Sequence, residues 1–211
     1  MSRPSPTLIY RITHINNVPW ILEHGLHSGS SNVLDSNFVT IGNRDLISRR
    51  MTQTVPIDPG GTLDDYIPFY FCTHSVMLYQ IHTGRVVGVD VPQSEVVYLV
   101  SSVERLVETG SAFVFTDRHA LVVKARYFSD PDRLDELDWR ALNSRDFRRD
   151  PVDPERAERR MAEMLVHRNL PGPGLLGIAC QDMEACMRLK GEAERLGLPL
   201  YVKPRPDWYF S

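Results

Sequence analysis

The chain has 211 residues, 42% of them hydrophobic and 24% charged, with a formal net charge of −3. These values exclude a collagen-like, disulfide-dense or strongly basic protein, and the length is enough to bury a core without staples, so one domain spanning residues 1–211 is expected. Cys72, Cys180 and Cys186 lack CxxC spacing, no run approaches a membrane span, and the start MSRPSPTLIYRITH has no signal-peptide centre; the expectation is a soluble, cytoplasmic protein with reduced thiols and no membrane association.

The β-rich TLIYRIT (7–13) predicts an opening strand. NNVPWILEHGL then carries helix punctuation, with Asn17 as cap, Pro19 in the first turn and Gly25 at the exit. Residues 27–43, rich in Ser, Asn and Gly, predict an irregular loop before a short helix RDLISRRM (44–51). A second loop, VPIDPGGTLDDYIP (55–68), leads into FYFCTHSVMLYQIHTG, a strand and a short helix ending at Gly84. VVGVDV and EVVYLV are strand candidates, and Ser101 with Glu104 has capping-box spacing for a helix closed by Gly110. AFVFT (112–116) is a further strand, followed by a long polar segment from Asp117 to Asp153. Asp153 and Pro154 open another helix. LLGIACQ (175–181) reads as a buried strand, residues 182–197 as a helix ended by Gly197, and LPLYV as the last strand. The pattern is α+β, with a twisted mixed sheet and long loops, and long loops in a compact domain tend to carry function.

The acid Glu163 lies at the seam of RRMAEMLV, where a basic helix-like lead-in meets an apolar run. Read with period two, AEMLVHRN puts Glu163, Leu165 and His167 on one strand face and Met164 and Val166 on the other; read with helical period, Glu163 is a solvated helix residue. Periodicity does not separate the two. His14 and Asn16, at the end of the first strand, can grip an amide or ribose, or simply cap a helix and fill the core. Arg49 and Arg50 can clamp a pyrophosphate, or lie on an exposed face. His24 and His27 lack metal-pair spacing and a nearby acid, so no metal site is expected, and neither a GxxxxGKS nor a GxGxxG phosphate loop is present.

YRITHINNVPWILEHGL, DYIPFYFCTHSVMLYQI, YLVSSVERLVETGSAFVFTDRHA and RRMAEMLV together resemble the DarT family, the toxin half of DarTG toxin–antitoxin systems, in order and over nearly the whole chain. The resemblance implies an ADP-ribosyltransferase fold of the poly(ADP-ribose) polymerase type with a split mixed sheet. It also implies a glycosyltransferase that uses NAD+ as co-substrate and attaches ADP-ribose to a base, thymine in one branch and guanine in another, of single-stranded DNA. In that family a macrodomain antitoxin, DarG, removes the mark, and the resemblance implies such a partner here.

Carried over residue by residue, the family's catalytic glutamate falls on Glu163 and its functional arginine on Arg50, with Arg49 the alternative. The run His14, Ile15 and Asn16 lines the nicotinamide-ribose end, and DSNFVTIGNRDLISRRM covers NAD+. The nicotinamide-stacking position has no clear counterpart and stays open among Tyr70, Phe71 and Tyr79. His119, in TDRHA, opens the segment that positions DNA, and Arg118, Arg148 and Arg149 within it are DNA-binding candidates. The rivals are an ADP-ribosyltransferase acting on guanine, RNA or protein, an RNA 2′-phosphotransferase on the same scaffold, and a non-catalytic NAD- or nucleic-acid-binding module.

Overall fold

The computed structural model describes residues 3–211. Strand β1 (Leu8–His14) is followed by helix α1 (Val18–His24) and a two-residue strand β2 (Leu26–His27). A long irregular segment ends in α2 (Arg44–Arg50), and β3 (Tyr66–Tyr70), α3 (Val76–His82), β4 (Val96–Ser102), α4 (Val103–Glu108), β5 (Phe113–Thr116) and β6 (Tyr127–Phe128) come next. The remainder is α5 (Trp139–Leu142), α6 (Arg156–Arg159), β7 (Glu163–His167), β8 (Asn169–Leu170), β9 (Gly177–Cys180), α7 (Met183–Arg195) and β10 (Tyr201–Pro204). Among the described residues, no helix is long and apolar enough to cross a membrane.

Eight strands form one mixed sheet in the order β10-β9-β4-β1-β3-β7-β5-β6, and β2 pairs with β8 in a separate ribbon. All eight are antiparallel to their neighbours except the parallel pair β9 and β10. Pairing is uneven along the sheet. β1 matches β4 from Leu8 opposite Ser102 to His14 opposite Val96, and β3 matches β7 from Tyr66 opposite His167 to Tyr70 opposite Glu163. Between β1 and β3 a single register pair, Tyr10 opposite Tyr70, holds the two halves together. The sheet is therefore split at its middle.

Alternation sorts the side chains onto two faces. Ile9, Val97, Leu99, Met164 and Val166 point to one face, where they pack with Val18 and Ile21 of α1, Leu106 of α4 and Leu189 of α7 in the largest core cluster. On the opposite face the apolar residues form two separate clusters. Ile12, Val96 and Tyr98 pack with Leu78 and Ile81 of α3, while Leu63, Tyr66, Val114 and Leu165 pack on the other half of the sheet. The gap between these clusters lies over the split.

Local punctuation largely sets the element ends. Pro19 starts α1 and Gly25, at φ 88°, ends it. A side chain at Gly25 would also meet Leu170 O at 2.9 Å, so the β2–β8 ribbon needs glycine there on both counts. Several expectations shift, and residues 66–68, read as the end of a loop, open β3 by pairing with β7. VVGVDV (86–91) forms turns instead of a strand, because Gly88 takes φ 74° and Val89 N–H bonds back to Val86 O. The α4 cap is Ser102, whose Oγ accepts from Arg105 N–H at 3.0 Å; Ser101 is buried and donates to Gly174 O, and Glu104 accepts from Thr7 N–H. Asp153 and Pro154 precede the helix without capping it: α6 is only Arg156–Arg159, since the chain must extend from Glu163 to pair with β3.

Candidate active site

Glu163 is the first residue of β7, so the strand reading of the seam is the one the structure adopts. It shares its sheet face with Leu165, and its side chain, 4% exposed, points into the gap above the split. Such burial of a carboxylate requires partners. Glu163 Oε2 accepts from Arg50 Nη1 at 2.9 Å and Oε1 accepts from the Ala120 N–H at 3.0 Å, with His119 Nε2 at 3.9 Å from Oε1. Its own N–H donates to Thr116 Oγ1. Burial opposes the charge, but Arg50, then His119 and the Ala120 amide, outweigh it and hold the carboxyl below the ordinary glutamate value. The group stays ionised at neutral pH.

Arg50 is delivered by α2. Asn43 caps that helix by accepting from the N–H groups of Asp45 and Leu46, and Asp45 at the start with Arg49 and Arg50 at the end match the helix dipole. Of the arginine pair only Arg50 turns inward to Glu163; Arg49 is exposed. His119 and Ala120 belong to the TDRHA turn, pinned by Thr116 Oγ1 donating to Arg118 O and by His119 N–H donating to Glu158 O. Burial lowers the His119 pKa, and Arg50 and Arg49 lower it further against the pull of Glu163, so the imidazole is neutral at pH 7.

Glu163, Arg50 and His119 line a cavity of about 230 Å³ together with Arg11, Val39, Tyr70, Met77 and Gln80. Tyr70 stands opposite Glu163 in the β3–β7 register, with its hydroxyl donating to Met77 Sδ at 3.1 Å. Arg11 spans the split, donating from Nη1 to Pro68 O at 3.0 Å. Its Nε, like Arg50 Nη2, is out of reach of solvent and without a hydrogen-bond partner. Burial draws the Arg11 pKa down to about 10, still well above neutrality. Arg50 thus pairs with the carboxylate while Arg11 adds a second guanidinium to the wall, and the two cations against one carboxylate favour an anionic guest.

Other sequence-predicted residues lie elsewhere. His14 is buried, its Nε2 at 2.9 Å from Glu95 Oε2 and its Nδ1 accepting from Asn16 N–H; His14, Ile15 and Asn16 are not among the cavity's walls, because the chain turns away into a 3₁₀ turn at Ile15. Phe71 sits in the core, edge-on to Phe115 and Trp139, and from there it offers no face to the cavity. Tyr79 stacks on Phe147 in a neighbouring cavity, leaving Tyr70 as the aromatic beside Glu163. Arg118 is held by Asp117, Glu155 and Glu158, and Arg148 by Asp146, whereas Arg149 is exposed and borders the neighbouring cavity. His24 stacks on Trp20, with His27 edge-on to the same ring, and all three cysteines are buried and free.

Two residues were missed from the sequence. Arg11 is a lone charge inside an apolar strand, the same kind of signal that singled out Glu163. Asn17 flanks α1 as expected but makes no cap bond; its amide donates to Thr13 Oγ1 and Val39 O and accepts from Val39 N–H, hooking the 28–43 loop over the cavity. No local pattern distinguishes that task from capping.

The family model described as "ssDNA thymidine ADP-ribosyltransferase, DarT" matches residues 10–210. The chain belongs to the DarT family. A curated member, the DNA ADP-ribosyl transferase of Escherichia coli O127:H6 (strain E2348/69 / EPEC), is 43% identical over 99% of this chain and 95% of its own length. The Thermus sp. 2.9 DarT structure in complex with ADP-ribosylated ssDNA superimposes with a TM-score of 0.92 at 34% identity, covering 100% of this chain and 99% of that one. The same DarT in complex with NAD+ gives 0.86 over 99% of this chain and 100% of that one, also at 34% identity. The ADP-ribosyltransferase fold expected from the DarT resemblance is thereby established, and the split sheet is its architectural mark here.

Proposed function

We propose that this chain transfers ADP-ribose from NAD+ to a thymine of single-stranded DNA. We further assign it the cytoplasmic toxin role of a toxin–antitoxin pair, with a macrodomain protein of the DarG type removing the mark. The observation that carries the reading is the buried, ionised Glu163 paired with Arg50 on the floor of a cavity whose wall also carries the Arg11 guanidinium.

The residues fit NAD+ as co-substrate. Arg11 and Arg50, on the cavity wall, bring the positive charge that its diphosphate needs, and Tyr70 suits the flat nicotinamide ring. Transfer breaks the C1′–N bond to nicotinamide, which leaves with the bonding pair. It forms a C1′–N bond to the base, whose N3 proton is lost. Glu163 accepts a hydrogen bond from the ribose hydroxyls and sets a fixed negative charge against the positive charge that develops at C1′. Ribose takes up the acceptor capacity that Arg50 and Ala120 leave on the carboxylate.

The thymine N3 proton is weakly acidic, roughly like a tyrosine hydroxyl, and needs an acceptor. A guanidinium has none to offer. In this reading His119, on the cavity wall and with its pKa lowered by burial, takes it, while Arg50 stabilises the base as it becomes anionic.

Mass spectrometry after incubation with NAD+ and thymine-bearing single-stranded oligonucleotides tests this, with thymine-free DNA, RNA and protein as parallel arms. The expected result is a gain of one ADP-ribose on thymine, lost by several orders of magnitude in Glu163→Gln. Modification confined to guanine, RNA or protein, or near-normal turnover by Glu163→Gln, refutes it.

A further inference from the structure

The β5–β7 register runs from Phe113 opposite Val166 to Phe115 opposite Met164 and ends one step before Thr116 would face Glu163. At that step the Glu163 N–H donates to the Thr116 hydroxyl at 3.2 Å. The same hydroxyl donates its own proton to Arg118 O at 2.7 Å. Resting on the function proposed above, we infer that Thr116 is a positioning residue for ADP-ribose transfer. Its hydroxyl ties the backbone of Glu163 to the 117–120 turn that carries His119 and Ala120.

Thr116 is fully buried, in a place where valine would fill the same volume, so a hydroxyl is tolerated there only when it is bonded. It is bonded in both directions, and both partners belong to the site. The turn needs such fastening because residues 117–120 lie outside every helix and strand. Tyr127, the register partner of Thr116 in β6, adds a second pin, its hydroxyl donating to Ala120 O at 2.9 Å.

With Arg118 O and Ala120 O both held, the Ala120 N–H meets Glu163 Oε1 at 3.0 Å and His119 Nε2 stands 3.9 Å from the same oxygen. The ion pairs of Arg118 with Asp117, Glu155 and Glu158 also fasten the turn, but none of them reaches Glu163. Thr116 alone bonds the turn and the strand end together, so losing its hydroxyl lets the carboxylate and the imidazole drift apart. A shift of about 1 Å in reacting groups costs on the order of a hundredfold in rate.

Thr116→Val keeps the volume and removes the hydroxyl, and Thr116→Ser keeps the hydroxyl and removes the methyl. In transfer from NAD+ to a thymine-bearing oligonucleotide, Thr116→Val should lower kcat about tenfold to a hundredfold with KM for NAD+ changed less than about twofold. Thr116→Ser should regain most of that loss. Tyr127→Phe, partly buried and off the β5–β7 seam, carries the same test where the buried change fails to fold, and should lower kcat in the same sense. Since both hydroxyls hold one turn, the two changes combined should cost less than the product of their separate effects. Amide exchange over residues 117–122 gives a readout that needs no activity: faster in Thr116→Val, restored in Thr116→Ser. Undiminished kcat in Thr116→Val, a rise in KM for NAD+ in its place, or a serine variant as slow as the valine one overturns the role. A wild type that transfers nothing to DNA removes the proposed function, whereas normal wild-type transfer with unchanged exchange in Thr116→Val removes the Thr116 role alone.

Discussion

Glu163 and Arg50 hold each other in a place where neither is stable alone. The carboxylate is 4% exposed and its ion-pair partner 13%, so removing the guanidinium strands a charge that water cannot reach. Breaking one side of a buried pair costs about 3–5 kcal/mol, whereas neutralising both sides costs far less. Arg50→Met should therefore unfold at clearly lower temperature at pH 7, recover on acidification as the stranded carboxyl takes a proton, and be rescued by adding Glu163→Gln. Thermal melts at pH 7 and pH 5 read this directly, and a double variant no more stable than Arg50→Met would contradict it. In the wild type the sign is opposite: the Glu163 pKa is depressed, so its contribution is complete above the ordinary glutamate value and fades as pH falls through the folded one. His119 gives the matching signature in catalysis. Its pKa lies below the ordinary 6.5, so as a proton acceptor it leaves transfer flat through neutrality, with the acid limb starting below 6.5. His119→Gln should abolish transfer to DNA while NAD+ hydrolysis in its absence persists; an unaltered pH–rate profile in that variant would remove His119 from the chemistry.

At the level of elements, the site depends on how segments are fastened. The 28–43 loop has almost no regular structure, yet its Val39 is gripped through both backbone polar groups by the buried Asn17 amide. Asn17→Ala cuts that hook without touching Glu163, so KM for NAD+ should rise roughly tenfold, the worth of one or two buried hydrogen bonds, with kcat changed much less. Steady-state kinetics decide, and a fall confined to kcat would place Asn17 elsewhere in the mechanism. This hook also marks the limit of what the sequence conveys. Most of the longer strands and helices are legible from β-branched runs and from Pro and Gly punctuation, and Pro19 and Gly25 bound α1 where expected, but the strand read at 86–91 does not form and the two-residue strands β2, β6 and β8 carry no local signal. Ser101 and Ser102 are neighbours of the same type, and only the burial of one decides which caps α4. Glu163 fits a helix or a strand equally well by periodicity, and its pairing with Tyr70 across the sheet, a long-range fact, settles it. The Glu163–Arg50 pair was within reach through family resemblance. Arg11 is equally visible as a lone charge in a strand, but no local motif marks it, and His14 keeps its place in the motif while its side chain turns to Glu95.

Across the whole molecule the governing feature is the sheet divided between β1 and β3, bridged by one register pair and by Arg11 reaching Pro68 O. Amide exchange along β1 and β3 at the split should slow when NAD+ is added, while the fully paired β1–β4 seam changes little. Arg11→Met should lose much of that protection and raise KM for NAD+ about tenfold, and hydrogen-exchange mass spectrometry with and without NAD+ measures it. Uniform protection over the sheet would show that the halves already behave as one body. A reactant lodged in such a gap acts as a keystone, completing the architecture that acts on it. An inhibitor cut to the same outline would gain twice, once by occupying the gap and again by mortaring the two sides together.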